Sequence, residues 1–263
     1  MSETMEKIKI HPTAILEQGA QLASGVEVGP FSIIKKNVTI GERTKVGDRV
    51  TIEGWTTIGE DCEIFTGAVI GSITQDKKFK GGKSYLRIGN RNKIREYVTM
   101  NPGTGDGTET VVGDDNLLMA YSHVAHDCTI HNNATLANVA TLAGHVIVED
   151  RAIIGGLSAV HQFVRIGTLS IVGGCSKVVQ DIPPYIMTDG HPVRAYGLNS
   201  VGLERAHIPK EERTELKKAF KIIFKSKLTL KNAILKIEQD VQKTPTINTL
   251  LVFLKKSERG ICK

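Results

Sequence analysis

Aromatic residues supply only 5% of this 263-residue chain, which argues against an ordinary globular core built around large rings. Cysteine is sparse too: Cys62, Cys128, Cys175 and Cys262 lie far apart, with no C-x-x-C pair. That excludes a dense disulfide framework and a zinc ribbon, and reads as reduced thiols in a cytoplasmic protein. No apolar run reaches the roughly 18 residues that a membrane helix needs. The start, Met1-Ser2-Glu3-Thr4-Met5-Glu6-Lys7, has no apolar core of signal type, so stable membrane insertion is not expected. No basic stretch is interleaved with aromatics, which sets nucleic acid aside. Acidic residues are outnumbered as well. The net charge is +6 and the pI about 9.1, a surface suited to a phosphorylated small molecule or an acidic protein.

What the chain has in abundance is glycine and a strict period. Stepping by six from Ile10 meets Leu16, Leu22, Val28, Ile34, Ile40, Val46, Ile52, Ile58, Ile64 and Ile70. From Val112 the same step runs through Leu118, Val124, Ile130, Leu136, Leu142, Val148, Ile154, Val160, Ile166 and Val172 to Val178. A period of six suits neither a helix nor a half-buried strand; it marks a parallel β-helix of hexapeptide repeats. Four residues after each aliphatic stands a small or β-branched side chain, such as Val26, Ser32, Val38 or Cys62. Glycine often follows the aliphatic, as in Ile40-Gly41 and Ile58-Gly59, where it is expected to ease a corner with unusual φ. Three hexads make one triangular coil of eighteen residues.

Two polar excursions interrupt the repeat, near 72–87 and 101–111, and both return in phase. Such insertions project from a solenoid's wall, often at its binding face. The prolines of Asp181-Ile182-Pro183-Pro184 end the ladder. The expected division is a β-helix over 1–190 and a small α-helical domain over 191–263. Pro209 opens a stripe of Leu216, Ala219, Phe220, Ile223 and Phe224, Thr229 caps a second helix, and a third follows Thr244-Pro245 and ends before Gly260. These helices should cap the open C-terminal end of the solenoid.

His123, His126, His145 and His161 fall inside the second run. His145 lies nineteen residues after His126 and His161 sixteen after His145, each close to one coil. The three imidazoles are therefore expected along one edge, over roughly 10 Å, two coil spacings. A metal site needs a third histidine about two coils upstream of His126, a spacing that resembles the γ-class carbonic anhydrases with His126 and His131; Asn90 stands thirty-six residues upstream, so no metal is expected. General-base catalysis fits better. A neutral imidazole near pH 7 can take a proton from a sugar hydroxyl attacking an activated acyl group, with Asp127 or another carboxylate to fix its tautomer. The Gly144 N–H can meet the oxyanion. No serine or cysteine has a nucleophile's context, so transfer is expected to be direct.

At these residues the chain resembles the UDP-N-acetylglucosamine acyltransferases of lipid A biosynthesis. The resemblance rests on Ile10-His11-Pro12-Thr13-Ala14, Gln75-Asp76-Lys77-Lys78-Phe79, Asn116-Leu117-Leu118-Met119 and His123-Val124-Ala125-His126-Asp127-Cys128. Leu142-Ala143-Gly144-His145, Ala159-Val160-His161-Gln162-Phe163 and Ser257-Glu258-Arg259-Gly260 extend it over nearly the whole chain. It implies a left-handed prism and a homotrimer with sites between subunits. The implied reaction moves a 3-hydroxyacyl group from acyl carrier protein to the 3-position of a UDP-amino sugar. No cofactor is implied beyond the phosphopantetheine on the donor. His126 would be the base, Asp127 its orienter and Gly144 the oxyanion donor. Asp76, Lys78, His123, His145 and His161 would meet sugar, phosphate or acyl chain; Gly156, Asn199 and Arg205 would contact nucleotide; and Gly174 would set acyl length. An acidic carrier protein would suit Lys217, Lys218, Lys221, Lys225 and Lys227. The chain departs from the family at Val139, Val201, Ala206 and His191, positions that bear on nucleotide contacts and acceptor choice. Two alternatives stand beside this reading. One is the related N-acyltransferase, which usually carries an extra N-terminal uridine-binding domain for which a repeat starting at Ile10 leaves no room. The other is a non-catalytic β-helix binding module.

Overall fold

The computed structural model describes residues 7–263; Met1 to Glu6, read above for a signal segment, lie outside them. The hexads form a left-handed parallel β-helix, as expected. Nearly every hexad contributes a two-residue strand ending in the aliphatic, and strands pair with those three steps away. Three sheets result. The first face begins at Lys9–Ile10, the second at Ile15–Leu16 and the third at Gln21–Leu22. The aliphatics fill the prism with the small residues beside them: Ile34, Val38, Ile40, Leu118, Val124 and Leu136 are all fully buried. Ile10 and Leu16 obey the period yet stay exposed, because the first coil has a neighbour on one side only.

The glycine expectation needs correcting. The residue that turns each corner stands three places after the aliphatic and is seldom glycine: Asn37, Arg43, Asp61, Asp127 and His145 all have φ between 53° and 69°. Glycine after the aliphatic serves close approach instead. A Cβ on Gly41 would lie 2.6 Å from the carbonyl carbon of Gly59 in the next coil. On the edge between third and first faces, stacked side chains cap corner N–H groups: Asn90 accepts from Glu60, Asp114 from Asn90, Asn132 from Asp114 and Asp150 from Asn132, at 2.8–3.0 Å.

Both excursions leave the edge between second and third faces, but they are shorter than expected. Strand Tyr85–Ile88 extends back to pair with Trp55–Ile58, and Glu109–Val112 extends back to pair with Tyr85–Ile88, so the projecting parts are 72–84 and 101–108. The boundary at 190 also moves. Ile186–Gly190 and Val193–Leu198 form an antiparallel hairpin that closes the first face, and its turn straddles residue 191. The hairpin pairs with Ile171–Val172 and so covers the end of the first face, which the prolines alone could not do. Four helices follow: α1 (Ser200–Arg205), α2 (Lys210–Lys225), α3 (Leu230–Asp240) and α4 (Pro245–Lys255). The last three begin as the sequence indicated, with Thr229 and Thr244 accepting from their helices' N–H groups. The tail returns to the prism: Asp181 N–H donates to Gly260, Cys262 N–H donates to Asp181, and Cys262 joins the prism core.

Candidate active site

The edge between second and third faces brings His123, His126, Asp127 and Gly144 together beneath the first excursion. Residue 126 stacks on 144 and 162, one coil apart, so His126 lies over Gly144. Its Nδ1 is 2.8 Å from Asp127 Oδ2, and its Nε2 faces the Asp76 carboxylate at 3.7 Å. The first excursion arches over this point. An Asx turn, Lys78 N–H to Asp76 Oδ1 at 2.9 Å, shapes it. Asp76, Lys78, His123, His126 and Gly144 share a cavity of about 480 Å³. No hydrogen bond within the described chain uses the Gly144 N–H, which leaves it available to an oxyanion.

Electrostatics favour a base held by a carboxylate. Burial alone would raise the Asp127 carboxyl. The His126 hydrogen bond, the Thr108 hydroxyl, the nearby His145 charge and the Thr104 N–H together hold it below the ordinary carboxylate range. Burial, then the charge of His126, pushes His123 down, and its Nδ1 pairs with Thr99 Oγ1 at 2.7 Å. The thiol behind the dyad is no nucleophile: burial pushes Cys128 up to about 12.

The expected line of three imidazoles is only partly realised. The His126 and His145 rings meet edge to face at 5.2 Å, and His145 stacks on Phe163. His161 is exposed, bonds to the Gln162 carbonyl, and yields its place in the cavity to Gln162. The coil is eighteen residues, so the sixteen-residue step from His145 leaves His161 two places short of the stack.

The count used against a metal also lands elsewhere. The excursion at 101–108 lies between, so the pairs Val124 with Met100 and Met100 with Ile70 put Pro102 and Ser72 above His126. Asn90 caps a different edge, and His131 lies on that other edge too, away from His126. Among the described residues one cluster brings metal-ligating atoms together. These belong to His126, Asp127 and His145 and lie within 4.8 Å of one another, with the Nδ1–carboxylate contact already made.

Four expected contacts lie away from this edge. Gly156 and Gly174 stack on each other at the edge between first and second faces. Asn199 is buried and committed: its Oδ1 caps α1 by accepting from Gly202, and its Nδ2 donates to the Leu169 carbonyl. Arg205 ends α1, exposed. The expected site residues therefore lie on two edges of the prism and at the two ends of α1. Sequence reading passed over Asn101 and Gln162, which line the cavity, and Thr104, which donates to Asp127. The polar run after Met100 was the one signal for Asn101 and Thr104.

A β-helix of six-residue repeats with a histidine–carboxylate pair on its edge defines a hexapeptide-repeat transferase. A profile described as bacterial transferase hexapeptide matches residues 109–144, and one described as UDP-N-acetylglucosamine O-acyltransferase, domain 2, matches 181–262. The acyl-[acyl-carrier-protein]–UDP-N-acetylglucosamine O-acyltransferase of Thermodesulfovibrio yellowstonii is 50% identical over 257 residues, 97% of this chain and 99% of that protein. Its counterpart from Herminiimonas arsenicoxydans is 48% identical over 259 residues, with the same coverage. The solved UDP-N-acetylglucosamine acyltransferase of Francisella novicida superposes with a TM-score of 0.93 at 35% identity, over 96% of this chain and 93% of that one. This chain belongs to the UDP-N-acetylglucosamine O-acyltransferase family.

Proposed function

We propose that the protein transfers a 3-hydroxyacyl group from acyl carrier protein to the 3-hydroxyl of UDP-N-acetylglucosamine, opening lipid A biosynthesis. The observation that carries this is the His126–Asp127 pair, with Nδ1 held at 2.8 Å and Nε2 turned to the cavity. Asp127 fixes the tautomer that leaves Nε2 as acceptor. Nε2 removes the hydroxyl proton as the sugar oxygen attacks the thioester carbonyl, and the Gly144 N–H meets the oxyanion. Collapse breaks the C–S bond, and the imidazolium returns the proton to the departing thiolate of phosphopantetheine. Every proton and electron pair is accounted for without a cofactor, and no acyl-enzyme forms.

A homotrimer would account for Gly156 and Gly174 lying on another edge and for Asn199 and Arg205 lying at the ends of α1. Copies packed side by side would bring the first–second edge of one against the catalytic edge of another. That first edge carries exposed Tyr97, Tyr121, Val139 and Leu157, an apolar ridge unusual for a monomer's surface. Gly174 would then bound the acyl chain, Lys78 and Arg205 would meet phosphates, and His145 and His161 would line the donor side. The lysines of α2 suit an acidic carrier protein, although Lys218 is already paired with Glu215. Among the described residues no helix is long and apolar enough to cross a membrane.

The test is transfer of labelled 3-hydroxyacyl groups from acyl carrier protein to UDP-N-acetylglucosamine, with the 3-amino sugar and several acyl lengths in parallel. Wild type should transfer, and His126→Ala should lose nearly all of the rate. A His126→Ala variant that retains most of it overturns the mechanism.

A further inference from the structure

The two excursions are joined to each other at both ends of the arch. At its root, the buried Asn101 donates from Nδ2 to the carbonyls of Ser72, at 2.9 Å, and Ile73, at 3.3 Å. At its far end, Lys83 N–H donates to Asp106 Oδ1 at 2.7 Å, and Gly107 N–H donates to the Lys83 carbonyl at 2.8 Å. Between these ties the second excursion sends the Thr104 N–H to the Asp127 carboxylate at 3.1 Å. One short segment therefore holds the arch that carries Asp76 and Lys78 and also the carboxylate that orients the base.

We propose that Asn101 is a positioning residue for the sugar–nucleotide side of the reaction. Its amide seats the arch at the height where Asp76 faces His126 Nε2 across 3.7 Å. Several features support this role. Asn101 is 4% exposed, so water does not compete for its donors. Its own N–H bonds to the Val124 carbonyl, which anchors it to the rigid coil beneath His126. The arch between Thr74 and Lys83 has one further tie, at its far end, where Lys83 Nζ lies 3.7 Å from the centre of the Trp55 ring; apart from its own turns and the ties just named, its backbone makes no other hydrogen bond to the coils among the described residues. The inference rests on the acyltransferase reading for its kinetics, but not for its structural readout.

The experiment compares Asn101→Asp and Asn101→Ala with wild type in steady-state transfer and in limited trypsin digestion. Asp keeps the shape but replaces the donor with an oxygen facing two carbonyls. Both variants should raise KM for the UDP sugar about tenfold or more, roughly what two hydrogen bonds of about 1 kcal/mol each would give. KM for the acyl carrier protein should stay within about twofold, and cleavage at Lys77, Lys78 or Lys80 should quicken. Asp106→Ala, which frees only the far end, should give the same pattern more weakly and serves if Asn101 variants fold poorly. An Asn101→Asp enzyme with wild-type KM and wild-type digestion overturns the proposal. So does a parallel rise in both KM values with a fall in Tm, which would mark a general loss of structure. If wild type shows no transfer, the functional reading fails, while faster cleavage of the arch in Asn101→Asp would still uphold the structural part.

Discussion

Gly144→Ala isolates the seat of the base from the base itself. The Gly144 backbone lies outside the left-handed region, so alanine brings no conformational penalty of its own. Its methyl, however, would stand 2.3 Å from His126 Cε1, 2.5 Å from Nε2 and 3.0 Å from Nδ1. Ordinary contact needs about 3.4 Å or more, so the ring must move by about 1 Å. A shift of that size breaks the 2.8 Å bond to Asp127 and turns Nε2 from the attacking hydroxyl. Losing a hydrogen bond to a charged group costs about 1.5–3 kcal/mol, which corresponds to roughly 10- to 150-fold in rate. Misplacing a catalytic group by about 1 Å costs about 100-fold by independent reasoning. Transfer of labelled acyl groups should therefore show kcat down about 100-fold with a fall in Tm of only several degrees, roughly what a loss of about 1.5–3 kcal/mol gives in a chain of this size, although the residue's own N–H survives. A Gly144→Ala enzyme within about threefold of wild type would show that the ring is not held where its contacts indicate.

Two further outcomes bear on the last coil and on assembly. Burial raises the Asp181 carboxyl, against the Ser257 hydroxyl and Arg165 N–H that bond to it. The folded state thus holds this proton more tightly than the unfolded chain, a contribution present below the unfolded value of about 3.9 and lost as pH rises through the folded one. The Tm of Asp181→Asn relative to wild type should move in the variant's favour from about pH 4 to about pH 8; a difference that ignores pH refutes the sign. Leu157→Asp places a charge on the apolar ridge, at a residue 64% exposed in the single chain. It should leave the prism folded by circular dichroism but reduce the mass in light scattering to one chain and abolish transfer. A trimer of unchanged mass would remove the ridge from the interface.

Much of this molecule is written in local order. An aliphatic every six residues can be buried in only one repeating way, so the prism, its core and the phase of its faces follow from Ile10 to Val178 without reference to anything distant. The caps of α3 and α4 are equally local, since Thr229 and Thr244 act on residues three places away. The pairing of His126 with Asp127 is a neighbour relation, and Gly144 one coil later is a matter of counting. Counting fails where the coil is interrupted. The excursion at 101–108 broke the sum that placed Asn90 above His126, because register passes through strand pairs and not through residue number. The reach of Asp76 to Nε2, the tie from Asn101 to the arch and the commitment of Asn199 to a helix cap all join segments separated in sequence. No periodicity encodes those distances. The six-residue period and the neighbour relation of His126 to Asp127 are enough to place the ruler and the imidazole–carboxylate pair mounted on it. Which side chains close over that pair follows from the folded chain alone, because loops returning to a rigid wall are placed by hydrogen bonds made across it.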